Sequence, residues 1–341
     1  MTNEIVRFEE GLALSVKAVE PPAIVLAAGA NARFAYDEFF GAEIENDHTR
    51  RAYRKAVHRF LAHCDARGIN LREISPAVVG EYIRTLQTES RVDKHGVVIR
   101  PAKAASKPMK KLHLAGIRHF FDKLVVRHAV ALNPALSVRG PKLKVVEGKT
   151  MALSVKQARE LLGSIDTGGV VGLRDRAVVA VMMYTAARVG AVAKLRGVDY
   201  YTDGTQWVFR FDEKGGKVRD IPCRHDVEGY LREYMEAVGD IGDDAPLFRT
   251  ADRRTKALTK NGMTANDILR MVKRRFKEAG LPARQLVCHS FRATTITDLL
   301  EQGVSLEDAQ YLAGHADPRT TRLYDRRKRQ VTRNIVERIS I

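Results

Sequence analysis

The stretch from Asn133 to Lys149 carries Pro134, Gly140, Pro141, Gly148 and several lysines with neither helical nor strand periodicity, the composition of a connection rather than of a core element. That break divides 341 residues into two parts, each long enough to bury a core of its own. Residues 134–149 are therefore expected to be a linker between a domain at 34–133 and a second at 150–341. Residues 1–33 mix Pro21-Pro22 with Ala and Gly without a sustained period and read as an N-terminal tail or loosely attached arm.

Helical signals dominate the first domain. Between residues 46 and 67 the side chains of Tyr53, Val57, Phe60, Leu61 and Cys64 share one face, Gly68 stands where a C-terminal cap belongs, and the opposite face carries Arg50, Arg51, Arg54, Lys55 and Arg59. Ser75-Pro76 is expected to open a second helix, Ser capping the orphan amides and Pro fitting the first turn. A third helix, from about 106 to 128, has Ile117, Phe120, Phe121, Leu124 and Val125 as its apolar stripe. In the second domain Ser154 and Gln157 form a capping box, and an apolar helix is expected at 173–185. Two strand-like runs follow, Trp207–Phe211 and Lys217–Pro222, around a Gly-Gly turn, and helices return near 227–238, 264–279, 290–302, 305–313 and 318–326. The fold class is mainly α with a small antiparallel β-sheet in the C-terminal domain.

Lys and Arg total 58 against 41 Asp and Glu, a formal net charge of +17, which points to a polyanion partner and first to nucleic acid. Arg50, Arg54, Lys103, Lys107, Lys110 and Lys111 are candidate phosphate contacts, although a solvated helix face is the commoner role for any single Lys among them. No stretch approaches the roughly 20 apolar residues that span a bilayer, and acidic residues precede the first apolar segment, unlike a secretion signal. A cytoplasmic protein without membrane partners, nucleoid-associated if bacterial, is the expectation. The three cysteines, Cys64, Cys223 and Cys288, are too scattered for a disulfide framework or a zinc site. Cys288 beside His289 suggests a catalytic thiol, but a small buried residue at a helix start is the commoner fate.

The chemistry-bearing residues gather late in the chain. His289 and Arg292, three apart at a helix start, share a face with the positive end of the helix dipole. His315 follows Gly314, and Tyr324 stands in Arg322-Leu-Tyr-Asp-Arg-Arg327, where cations are expected to favour its phenolate. A Tyr nucleophile needs such cations, because its hydroxyl pKa lies near about 10 and a phosphate target is itself anionic. Arg188 interrupts an Ala- and Val-rich stretch and is either a structural bond to helix-end carbonyls or a cleft residue. Lys214 and Lys217 flank the Gly-Gly turn, an exposed tip from which an ammonium can reach a substrate.

Taken together, Ala187-Arg188, the hairpin Lys214-Gly-Gly-Lys217-Val-Arg219-Asp-Ile-Pro222, His289-Ser-Phe-Arg292, Leu312-Ala-Gly-His315 and Tyr324 nine positions later match in order. Residues 150–341 thereby resemble the catalytic domain of the tyrosine recombinase, or phage integrase, family; residues 33–133 are similar in size and character to its core-binding domain. The resemblance implies a two-domain, C-shaped DNA clamp acting as a site-specific recombinase in integration, excision or resolution, as in mobile elements. It implies that Tyr324 attacks the scissile phosphate to give a 3′-phosphotyrosine and a free 5′-hydroxyl, that Arg188 and Arg292 bind the non-bridging oxygens, and that Lys214 protonates the leaving oxygen. His289 would assist proton transfer and His315 would hydrogen-bond the phosphate. It further implies double-stranded DNA and a homo-tetramer on two DNA sites as partners, with no cofactor and no metal.

Two features depart from the pattern. The family usually has an acidic residue three positions after its first Arg, where this chain has Ala191, and Lys217 competes with Lys214 for the acid's role. Beyond Tyr324 a short helix with Val331, Ile335, Val336, Ile339 and Ile341 is expected to pack on its own domain or, as the resemblance implies, on a neighbouring protomer. Two other readings use the same residues. One is a helix-turn-helix regulator presenting Arg319, Thr320, Thr321 and Arg322; the other is a type IB topoisomerase-like enzyme that rejoins the strand it cuts.

Overall fold

A computed structural model describes residues 20–142, 148, 150–213 and 216–325. The chain divides into two compact units, Met1–Lys144 and Val145–Ile341.

In the first unit, α1 (Ala23–Ala27), α2 (Ala30–Glu38), α3 (Asp47–Asp65), α4 (Pro76–Thr85) and α5 (Lys107–Val126) enclose an aromatic core. Phe120 of α5 is its centre, with Tyr36, Phe39 and Phe40 rings 6.2, 5.8 and 6.0 Å away. Because Ile24, Val25, Ala32 and Ala35 are buried against this core, residues 23–33 belong to the folded unit and not to the expected tail. A one-turn helix offers too few positions for its period to be read, and its apolar contacts are tertiary. Asn46 caps α3 through His48 and Thr49, but the Ser75 hydroxyl makes no capping bond, so α4 begins on the fixed φ of Pro76 instead. Between α4 and α5 stands an unanticipated hairpin, β1 (Arg91–Val92) antiparallel to β2 (Val98–Arg100).

The second unit begins with α6 (Val155–Gly163), whose capping box of Ser154 and Gln157 is formed as expected. The apolar α7 (Val170–Thr185) runs through the core, and α8 (Val189–Val192) follows a sharp corner. A three-stranded antiparallel sheet has the order β3 (Tyr200–Thr202), β4 (Trp207–Glu213), β5 (Lys217–Pro222), with Phe209 opposite Ile221. Phe209 and Phe211 face the core and Arg210 and Asp212 the solvent, the alternation of a half-buried strand. After α9 (His225–Val238), a second hairpin pairs β6 (Arg249–Ala251) with β7 (Leu258–Gly262). Then come α10 (Ala265–Glu278), α11 (Cys288–Glu301), α12 (Leu306–Ala313) and α13 (Pro318–Arg322). No described helix is long and apolar enough to cross a membrane.

One ionic cluster ties α7 to α10. Asp175, with no exposed surface, accepts from Arg174 Nε and Nη2 at 3.1 and 2.6 Å on one oxygen, and from Arg274 Nη2 (2.8 Å) and Arg275 Nε and Nη2 (3.0 and 2.7 Å) on the other. Removing that carboxylate strands the buried guanidinium of Arg174 and the largely buried one of Arg275, so Asp175→Ala is expected to cost about 3–5 kcal/mol in urea unfolding. A loss below about 1 kcal/mol, the worth of an exposed pair, would refute this structural role.

Candidate active site

The site is assembled from the ends of short elements. Helix α7 stops at Ala186, which takes a left-handed conformation (φ 50°) unusual for a residue with a Cβ. The corner turns the chain so that Arg188 becomes the N-cap of α8 and projects from an otherwise buried run. Across from it, α11 carries Arg292, only 1% exposed, whose Nη1 donates to the Ala186 carbonyl at 2.6 Å and whose Nη2 donates to the carbonyl of Ala313. Arg292 therefore fastens the left-handed corner to the C-terminus of α12.

Gly314 ends α12 in a left-handed cap (φ 60°), placing His315 below the surface. His315 Nδ1 bonds the Thr321 hydroxyl at 2.9 Å, and its ring stacks on Tyr324 with centroids 5.9 Å apart and planes 7° from parallel. Tyr324, also buried, is held by its own amide, which donates to Thr321 O at 3.0 Å, and by Thr297, whose hydroxyl donates to its carbonyl at 3.3 Å. The phenol oxygen lies 2.7 Å from His289 Nε2.

Electrostatics divide these groups into neutral and charged. Burial first, then Arg292 and Arg188, push His315 down to about 3, so its imidazole is neutral at physiological pH. In the tautomer in which Thr321 donates to Nδ1, Nε2 carries the hydrogen and can donate it. His289 is open to solvent on its outer edge, yet burial of the remainder is the largest cause lowering its pKa, followed by Arg292 and Arg188. The expectation of a favoured phenolate is not met: burial raises the Tyr324 pKa and outweighs the opposing pull of Arg292 and Arg188. Among the described residues the cations acting on the phenol are these two, distant in sequence, and not its neighbour Arg322. Cys288 is buried with its thiol pushed up to about 11, which rules it out as a ready nucleophile.

The structure thus brings Arg188, His289, Arg292, His315 and Tyr324 together. Lys214 lies outside the described residues, as does the expected helix at 331–341. Ala191 is buried in α8 and borders a cleft of about 300 Å³ lined by Lys194, Arg210 and Asp212. Sequence reasoning missed Thr321, Thr297 and the Ala186 corner. Thr321 was within reach, since a hydroxyl three residues before a Tyr on a helical turn faces back toward it. Its complete burial also removes it from the solvent-facing set that a recognition helix needs, and α13 is a mere five residues long. Among the candidate phosphate contacts, Arg50 is tied to Ile44 O and Asp47, Arg54 lies over the Phe40 ring, and Lys110 bonds Arg84 O. Lys107 and Lys111 are exposed.

A phenol hydrogen-bonded to an imidazole of lowered pKa, with two guanidiniums close enough to act on it, is suited chemically to phosphoryl transfer through a tyrosine ester. Comparison with known proteins narrows the class. The model of the phage integrase family matches residues 152–330. The tyrosine recombinase XerD of Listeria innocua is 26% identical over 284 residues, covering 81% of this chain and 86% of the relative, and XerC of Herpetosiphon aurantiacus is 32% identical over 215 residues, covering 62% and 66%. In fold, the chain is similar to lambda integrase(75–356) in a dimer bound to a COC′ core site (TM-score 0.60, 16% identity, 88% of this chain and 97% of that one). It is equally similar to the XerH recombinase in its post-cleavage complex with palindromic difH (TM-score 0.60, 16% identity, 88% and 91%). The chain belongs to the phage integrase family, and is a DNA recombinase of the tyrosine type.

Proposed function

We propose that the protein cuts and rejoins DNA at two specific sites, as a homo-tetramer, through Tyr324. The observation that carries this reading is the 2.7 Å contact between the phenol oxygen and His289 Nε2 beside Arg292, because it pairs the nucleophile with its base before substrate arrives. Tyr324 Oη bonds to phosphorus as its proton passes to His289, and the bond from phosphorus to the 5′-oxygen breaks. Lys214 supplies a proton to that oxygen. Arg188 and Arg292 hold the non-bridging oxygens, and His315 Nε2–H donates to one of them. The phosphotyrosine ester keeps the energy of the broken bond, so a 5′-hydroxyl from a second strand reverses the step. Incubation with two-site DNA tests the reading: exchanged products support it, and relaxation without exchange would place the enzyme with the topoisomerases.

The lowered pKa of His289 has a consequence for pH dependence. A base works while unprotonated, and here the protonated form is disfavoured until the pH falls below the ordinary histidine value of about 6.5. Single-turnover formation of the covalent adduct should therefore reach half-loss only below pH 6.5. Half-loss at or above pH 6.5 would contradict His289 as the base.

A further inference from the structure

The hairpin β1–β2 is built as a finger. Its root is clamped: Ala105 N donates to Leu86 O at 2.8 Å, Thr88 N to Lys103 O at 2.7 Å, and Glu89 receives Lys55 Nζ at 2.7 Å with Arg59 Nε at 3.5 Å, both cations from α3. Its tip is closed by Asp93, whose side chain accepts from His95 N and Val97 N at 2.8 and 3.0 Å, with Gly96 at φ 83° completing the turn. Every residue from Arg91 to Arg100 except Asp93 is exposed, so the finger contributes nothing to the core.

A two-stranded ribbon with no buried face is marginal in water, and this one carries a further burden. Arg91 stands directly opposite Arg100, two like charges on one face, an arrangement that opposes pairing unless an anion sits between them. Lys94 and Lys103 add to the charge. The two acids available nearby are occupied, Glu89 by α3 and Asp93 by the tip, and among the described residues no carboxylate pairs with Arg91, Lys94, Arg100 or Lys103.

We propose that this finger is a DNA-binding element, in which Arg91 and Arg100 straddle the phosphodiester backbone. The inference rests on the recombinase reading and extends its contact surface beyond the helix faces. The finger also exposes Val92, Val97, Val98 and Ile99, each between 51% and 61% accessible, which would suit pairing with a second copy. Its concentrated positive charge repels a copy of itself and attracts a polyanion, so DNA is the favoured occupant.

The test is the salt dependence of binding by the full chain to a random-sequence duplex of about 30 base pairs, compared with Arg91→Gln/Arg100→Gln, between about 50 and 200 mM salt. Loss of two phosphate contacts should flatten the plot of log affinity against log salt by about 1.8, so that the variant's deficit in binding is about tenfold larger at about 50 than at about 200 mM salt. Thermal unfolding should not change, since neither side chain is buried. An unaltered slope with binding intact overturns the finger alone. Failure of the parent protein to bind the duplex overturns the finger and the recombinase reading together. A DNA-free dimer that Val98→Ser/Ile99→Ser dissolves without changing the slope overturns the proposal in favour of self-pairing.

Discussion

Tyr324→Phe is expected to abolish covalent capture of a nicked DNA site while leaving DNA binding at the parental level. The substitution deletes one oxygen, and that oxygen is the nucleophile, so the loss should be on the order of 10⁵-fold or more. Stability should barely respond. The phenyl ring keeps its stack on His315, the backbone keeps its bonds to Thr321 and Thr297, and what disappears is the phenol's hydrogen bonding, to His289 and Arg292, a net loss of about 1 kcal/mol. Denaturing electrophoresis of labelled DNA reads the outcome. An adduct that persists in the variant shows that another residue attacks, and with it the assignment of every other role around Tyr324 fails.

The residue types of this site were legible because each demands a distinctive neighbour. A His and an Arg at helical spacing, a Gly-His pair and a Tyr downstream are few enough that their joint order carries meaning. What they do to one another was not legible. The cations beside Tyr324 in sequence suggested a phenolate, but solvent exclusion acts through the tertiary packing of α11, α12 and α13 and raises the phenol's pKa. The long helices and the β4–β5 hairpin follow from periodicity, which repeats over enough residues to be counted. The one-turn α1 has no such run. The β1–β2 finger did leave a signal, the β-branched Val97-Val98-Ile99 between Gly96 and Pro101, but with no alternation of apolar and polar faces it does not announce a strand. That same lack of a buried face is what leaves its arginines available.

Arg292→Ala should produce the second large loss, and it should do so in two separable ways. The side chain is a structural rivet, because its two Nη atoms satisfy the carbonyls of Ala186 and Ala313, and truncation leaves both unpaired inside the fold. Two such orphans cost about 2–4 kcal/mol. It is also a catalytic cation, and loss of one preorganised donor to a developing oxyanion typically costs about 10²–10³-fold in rate. Arg292→Lys separates the two, since an ammonium retains charge but cannot reach both carbonyls and a phosphate in a planar fork. The pH profile carries a further signature. Arg292 helps depress His289, so its removal lets that pKa rise toward the ordinary value and shifts the acid limb of adduct formation to higher pH. In Arg292→Lys the limb should stay near its parental position while the rate still falls by about 10²-fold. Parental cleavage rates in Arg292→Lys would show that charge alone suffices and that the fork's geometry contributes nothing to the reaction.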